Sequence, residues 1–158
     1  MTDNNPDKNP LTVLRIELES IVFLRTDGDE LREIGRLAIS PTRIAEDVFR
    51  NEIPSEYEVE YAINSIEDEL MKHRYLEGEG GTLVCNSEQM KGILTQDGQK
   101  EAYSRQDVEN LFSRYAMQSM GRSPALDTLE INRMDYAALL ILREIMHHYN
   151  YDKYRKMR

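Results

Sequence analysis

Residues 55–76 form the segment whose structure the sequence constrains most tightly. Ser55 and Glu58 match a capping box, in which each side chain accepts a hydrogen bond from the other residue's backbone N–H. Apolar residues then recur at the spacing of one helix face, namely Val59, Ala62, Ile63, Ile66 and Leu70. Pro54 disfavours helix in the residue before it. The pattern therefore predicts a long amphipathic helix that begins at Ser55.

The neighbouring segments suggest a known element order. Residues 29–39 have apolar residues in helical register, and Ser40 followed by Pro41 is a typical start for a second short helix. After the long helix, the glycines of "EGEGG" separate "RYLE" from the strand-like "TLVCN", which is typical of a β-hairpin. A helix, a helix pair and a hairpin over 29–86 are the element order of a winged-helix module.

The remaining segments favour helices. Residues 11–24 have both a helical stripe and a strand-like alternation in "LRIELE", and helix is narrowly preferred because Leu, Glu and Arg are good helix formers. "TDGD" at 26–29 predicts a turn, and 87–103 predicts irregular structure. Ser104 with Asp107 predicts a helix to about Met120, and a last helix is expected over 132–149. The chain has only eight glycines and five prolines, which disfavours a turn-rich all-β fold.

The expected fold class is α+β and predominantly helical, with a winged-helix-like core and helical additions at both ends. We divide the chain into a disordered leader at 1–10, a single helical domain at 11–150 and a basic tail at 151–158. Within the domain, 29–86 is the winged-helix-like part and 104–150 holds the C-terminal helices.

The charge distribution argues against DNA binding by such a core. The chain has a net charge of −9, and carboxylates outnumber cations on the helix that would have to approach phosphates. A transcription regulator would have to take its basic contacts from Arg36, Arg43, Arg50 and the tail. Nucleic acid is therefore an unlikely partner.

Composition also predicts the compartment. Cys85 is the single cysteine, so no internal disulfide is possible, and its apolar surroundings predict a buried small side chain. The polar start of the chain does not resemble a signal peptide, and no apolar run approaches about 20 residues. We expect a cytoplasmic protein that does not enter membranes.

Two tyrosines are candidates for a protein interface. Tyr57 and Tyr61 lie one turn apart on the outer face of the helix that begins at Ser55, and Glu56 and Glu60 lie nearby on the same helix. Tyrosine is favoured where a flat amphipathic side chain meets a partner. Either another helix of the same chain covers these side chains, or they contact a second protein.

The ends of the chain suggest self-association. Tyr151 and Tyr154 alternate with basic residues in the tail, which predicts docking of the tail onto an acidic surface of the same protein or of a sister subunit. The last helix has an apolar arc wide enough to need cover from two sides. We therefore expect a homodimer formed through the terminal helices.

The last helix also offers residues that could hold a metal ion. Glu144 and His147 have the Glu-x-x-His spacing that di-iron bundles use, and His148 lies beside Glu144. A second Glu-x-x-His is missing from the chain, and imidazoles near a helix C-terminus also favour the helix dipole. We expect no cofactor.

The sequence also lacks the motifs of common enzymes. No glycine-rich phosphate loop with its lysine follows a strand, and no Gly-x-Ser-x-Gly elbow is present. The expected function is a non-enzymatic protein-interaction or regulatory module that binds a protein partner or itself. The alternatives are a winged-helix transcription regulator and a metal-dependent enzyme that uses Glu144 and His147.

Overall fold

The chain forms a mixed sheet covered by helices. The structure is a computed structural model that describes residues 11–123 and 129–157, so the expected leader at 1–10 lies outside the described residues. The elements are β1 (Leu11–Ile16), β2 (Ile21–Asp27), β3 (Glu30–Leu37), α1 (Pro41–Asp47), α2 (Glu56–Met71), β4 (Gly81–Cys85), α3 (Glu88–Leu94), β5 (Tyr103–Ser104), α4 (Arg105–Ser119), α5 (Arg133–His148) and β6 (Tyr151–Lys156).

The six strands lie in the order β3-β2-β1-β4-β6-β5. Strands β1, β2 and β3 form an antiparallel meander. Strand β4 runs parallel to both β1 and β6, and the short β5 pairs antiparallel with β6. The expected winged-helix-like, predominantly helical fold is therefore wrong, because β3 and β4 of the supposed winged-helix core belong to a six-stranded sheet whose other strands lie outside residues 29–86.

The predicted helices at 11–24 and 29–39 are both strands. The alternation in "LRIELE" describes the observed structure, since Leu14 pairs with Phe23 in the register of β1 and β2 and both side chains join the core. The turn predicted at 26–29 is confirmed and joins β2 to β3, with Gly28 at a φ of 68°. An Asp-Gly pair between alternating residues is a hairpin signal. Sheet pairing here overrides the weak helical propensity of Leu, Glu and Arg.

The predicted helix starts at Ser40 and Ser55 are confirmed. The Ser40 hydroxyl accepts a hydrogen bond from the backbone N–H of Arg43 at 3.1 Å. Ser55 and Glu58 form the complete capping box of α2. The buried residues of α2 are those of the predicted apolar face, except that Ile63 is only partly buried.

The predicted wing is wrong. Arg74–Leu76 forms a 3-10 turn, and β4 pairs with β1 and β6 instead of with that segment. Two of the three arginines proposed for DNA contact bind oxygens of the same chain. Arg36 forms ion pairs with Glu17 and Glu33, and the Arg43 guanidinium donates to the backbone oxygen of Ala38 at 2.9 Å.

We expect Ser55→Ala to lower the free energy of unfolding by about 1 kcal/mol, because the backbone N–H of Glu58 loses the hydroxyl oxygen that accepts its hydrogen bond, while the Glu58 carboxylate keeps its bond from the backbone N–H of residue 55. Urea unfolding monitored by circular dichroism measures the change. Ser55→Asp keeps an acceptor at the same position and should retain most of the stability. An equal loss in the two variants would contradict the capping role.

Helix α5 is the centre of the fold. Helices α1, α2, α3 and α4 all contact it, and its residues from Tyr136 to Leu142 are buried. The predicted position of this helix is confirmed. Its apolar arc is covered by the chain's own elements, so the arc gives no reason to expect a dimer through the terminal helices. The oligomeric state stays a prediction.

The expected basic tail is strand β6, an inner strand of the sheet. Tyr151 and Tyr154 are 0% and 1% exposed, so of the two expected docking surfaces, one on the same protein and one on a sister subunit, these side chains use the same protein. The Tyr151 hydroxyl donates to the backbone oxygen of Leu76 at 2.8 Å. The chain's own core supplies the surface on which these aromatic residues dock.

Helix α3 was not expected from the sequence, because 87–103 looked irregular. Ser87 caps it by accepting from the N–H of Met90, and Met90, Ile93 and Leu94 are buried against the core. Seven residues give too short a pattern to distinguish from a loop. Among the described residues, none of the helices has the length and apolar character that crossing a membrane requires.

Candidate functional site

The three parallel strands end at one edge of the sheet. Strands β1, β4 and β6 end at Ile16, Cys85 and Lys156, and their register places these ends side by side. In sheets of this kind, ligands bind outside the carboxyl ends of the strands. We call this side of the molecule the carboxyl edge.

The turn between β1 and β2 lies at the carboxyl edge and is held firmly. The N–H of Glu17 donates to the backbone oxygen of Ser20 at 2.9 Å. The Ser40 hydroxyl donates to the backbone oxygen of Leu18 at 2.7 Å, and Arg36 donates to the Glu17 carboxylate at 2.9 Å. The turn sequence "ELES" contains no glycine, so it is unlike the glycine-rich loops whose backbone N–H groups surround phosphates.

A groove of about 450 Å³ lies beside this edge. Its volume falls in the range of small-ligand sites, about 300–1,000 Å³. The apolar wall includes Val13, Leu24 and Leu31, and its polar groups include Arg15 and Asn86. The Arg15 side chain is 56% exposed, and its Nε lies 3.9 Å from a Glu17 oxygen. This loose ion pair leaves the guanidinium accessible to a ligand.

Cys85 ends β4 within this region, and its surroundings disfavour a reactive thiolate. Its side chain is buried, and this burial raises the pKa of the thiol to about 11. A thiol with that pKa is protonated at neutral pH and reacts poorly. The expectation of a buried small side chain is confirmed. The hydroxyl of Tyr154 lies beside it on the neighbouring strand, and burial also raises the pKa of that tyrosine.

The predicted metal residues separate into two groups. His148 Nε2 lies 3.0 Å from Glu144 Oε2 and 3.2 Å from Glu67 Oε1. The three donor atoms all lie within 4.8 Å of one another. We call Glu67, Glu144 and His148 the α2–α5 triad. Burial raises the pKa of the Glu144 carboxyl, and the charges of Arg143 and His148 partly oppose that shift.

His147 lies outside this triad, whereas Glu144 and His148, which were predicted together with it, belong to the triad. His147 lines a different depression, together with Arg105 and Arg143. Adjacent residues on a helix project about 100° apart, which explains why only one of the two histidines reaches the triad. Glu67 was missed because it lies 81 residues from His148 and no local spacing relates the two.

The predicted partner residues on α2 are exposed. Tyr57 and Tyr61 are 77% and 55% exposed, so the alternative that another helix covers them is wrong. Glu56 and Glu60 are also exposed. A role of these four residues in partner contact stays a prediction.

Comparison with known proteins gives the fold a context. No family model matches the chain, and no curated protein matches its sequence. Solved structures do match. A PPX-GPPA enzyme from Aquifex aeolicus superposes with a TM-score of 0.68 at 15% identity, over 93% of this chain and 52% of that one. A second structure of the Aquifex aeolicus Ppx/GppA family member gives a TM-score of 0.70 at 16% identity, over 93% and 51%.

Two further structures agree. An exopolyphosphatase-like protein gives a TM-score of 0.68 at 13% identity, over 100% of this chain and 59% of that one. An exopolyphosphatase from Cytophaga hutchinsonii gives a TM-score of 0.62 at 13% identity, over 96% of this chain and 54% of that one. This chain thus spans about half the length of each of these proteins.

These likenesses correct two expectations. The fold is not that of a winged-helix regulator. The similar structures are described as Ppx/GppA enzymes and exopolyphosphatases, and this finding overturns the expectation of a non-enzymatic interaction or regulatory module. At these identities the comparison establishes architecture. The chain has the fold of about half of a Ppx/GppA-type structure.

Proposed function

We propose that this chain is one lobe of a phosphohydrolase that acts on polyphosphate. One observation carries the proposal: the architecture matches structures named as exopolyphosphatases over 96–100% of the chain. Because the chain spans about half of those structures, we propose that a second lobe, from this or another polypeptide, completes the site. A cytoplasmic location belongs to the same proposal and is supported by the lack of a second cysteine for an internal disulfide.

The groove at the carboxyl edge is the proposed binding site. It offers the exposed guanidinium of Arg15, which suits the oxygens of a phosphate group. Asn86, Ser87 and Gln89 add polar side chains along the same groove. In the reaction, a water oxygen bonds to the terminal phosphorus, the anhydride P–O bond breaks, and orthophosphate is released.

The charge of the protein sets a condition for binding. The net charge of −9 and the carboxylates of Glu17 and Glu19 in the adjacent turn repel a polyanion. Mg²⁺ commonly bridges protein carboxylates and substrate phosphates. We therefore expect polyphosphate to bind as its Mg²⁺ complex, with the glycine-free turn contributing carboxylate oxygens in place of backbone N–H groups.

Binding of fluorescently labelled polyphosphate, measured by anisotropy with and without Mg²⁺, tests the proposal. We expect Mg²⁺-dependent binding that Arg15→Ala weakens by about tenfold, because one charged hydrogen-bonding group is lost. Arg32→Ala removes the same charge from an exposed side chain (71%) on β3 and should have little effect. Equal weakening in both variants, or a complete lack of binding, would contradict the proposed groove. Release of orthophosphate upon adding a second lobe would establish the activity.

A further inference from the structure

We propose that the α2–α5 triad binds a divalent transition-metal ion, with Zn²⁺ as the best match to its donors. The triad supplies two carboxylate oxygens and one imidazole nitrogen, all of which are zinc ligands in proteins. Zinc bonds of 2.0–2.2 Å in a tetrahedral site place neighbouring donor atoms roughly 3.3–3.5 Å apart. The observed distances from His148 Nε2, 3.0 Å to Glu144 and 3.2 Å to Glu67, are close to this spacing.

The contacts of His148 are unusual for a simple ion pair. Its Nε2 atom faces two carboxylate oxygens, yet it can carry a single hydrogen. The two carboxylates therefore compete for one donor and repel each other. A cation between the three atoms would remove this conflict, since each donor would direct a lone pair at it. On binding, Nε2 gives up its hydrogen and Nδ1 keeps one, so the imidazole is neutral.

The surrounding structure fixes the donors. Glu144 and His148 are four residues apart on α5, the central helix, and Glu67 comes from α2, which packs against it. Arg143 donates to the other Glu144 oxygen at 2.8 Å, which orients the carboxylate and leaves Oε2 facing the triad. Arg143 is itself paired with Glu109 at 2.6 Å, so its charge is largely compensated. Outer contacts of this kind support ligands in known metal sites.

One side chain of the triad is buried and the other two are partly exposed, which is a suitable arrangement for a bound ion. The side chain of Glu144 is 3% exposed, whereas those of His148 and Glu67 are 29% and 39% exposed. The inner carboxylate anchors the ion, and the outer side leaves a path for entry and a position for water as the fourth ligand.

The location of the triad separates it from the proposed phosphate site. Helix α5 ends where β6 begins, so the triad lies at the amino ends of the parallel strands, opposite the carboxyl edge. We infer that the ion fastens α2 to α5 and takes no part in hydrolysis. This inference does not depend on the proposed function.

Zinc titration of the full chain, after treatment with a chelator, tests the site by calorimetry and by thermal unfolding. We expect one ion per chain with a Kd in the micromolar range or below. The midpoint of unfolding should rise by about 5–10 °C when free zinc is 100 times the Kd. Co²⁺ offered as a probe should show the intense visible absorption of a tetrahedral site.

Matched variants identify the ligands. His148→Gln and Glu67→Gln should each weaken binding by at least about 100-fold, because one of three ligands is lost. His147→Gln removes the imidazole next to His148 and should not change the zinc affinity. His73→Gln is a second control, because His73 lies just beyond α2 and its Nε2 is 3.1 Å from a Glu69 carboxylate oxygen, outside the triad. This variant should not change the zinc affinity either. Circular dichroism confirms that the variants fold. The inference is overturned if wild type shows no saturable binding, or if His148→Gln binds zinc as tightly as His147→Gln.

Discussion

Replacing Tyr136 with alanine is expected to lower the free energy of unfolding by about 4 kcal/mol or more. Tyr136 lies on α5 and is fully buried. Its ring makes edge contacts with Phe49, Phe112 and Tyr115 at centroid distances of 5.7, 6.1 and 5.5 Å. Alanine would leave a cavity where α1, α4 and α5 meet. Equilibrium unfolding in guanidinium chloride measures the loss.

Two further variants separate the causes. Tyr136→Phe keeps the ring and loses only the hydroxyl contact with Ser119, at 2.8 Å, so we expect a loss of about 1 kcal/mol. Tyr57→Ala removes a tyrosine that is 77% exposed and should change stability by less than about 0.5 kcal/mol. A small loss for Tyr136→Ala would show that the aromatic cluster is not packed as described.

Gly78→Ala is expected to destabilise the fold by about 2–3 kcal/mol through overpacking. A Cβ atom at Gly78 would overlap the Tyr151 ring. The ring cannot easily withdraw, because its hydroxyl donates to the backbone oxygen of Leu76. The Gly78 backbone is also fixed, because its N–H donates to the oxygen of Tyr149 at 2.6 Å. Urea unfolding with an unchanged m-value would report the loss.

Gly92→Ala provides the matched control. Gly92 lies within α3, and a Cβ atom there would meet open space. Alanine is the better helix former, so this variant should gain about 0.5–1 kcal/mol. If both glycine variants changed stability equally, the close approach of Gly78 to Tyr151 would be disproved.

Local signals in the sequence located the elements that depend on local contacts. Capping residues such as Ser40, Ser55 and Ser104 identified helix starts, because a cap involves only three or four neighbouring residues. The strands at 11–37 were not identified, because their stability comes from cross-strand partners and "LRIELE" fits both periods. The parallel pairing of β1 with β4 joins residues about 70 positions apart, and no spacing rule reveals it.

In the candidate sites, too, the sequence revealed the local relations between residues and not the long-range ones. The four-residue spacing of Glu144 and His148 was visible in the sequence, whereas Glu67 became a neighbour only through the packing of α2 on α5. The carboxyl edge and its groove were invisible, because they exist only where three distant strands end together. The acidic turn "ELES" matches no known binding motif. It became a candidate binding element only because the fold places it at the carboxyl edge.

The place of β6 in the sheet affects how the chain folds during translation. It is the last described strand to be synthesised, yet it lies between β4 and β5. Until residues 151–156 leave the ribosome, the hydrogen-bonding edge of β4 has no partner from this chain and Tyr151 and Tyr154 are missing from the core. We therefore expect the sheet and its core to be completed only after residues 151–156 have emerged, late in the synthesis of the domain.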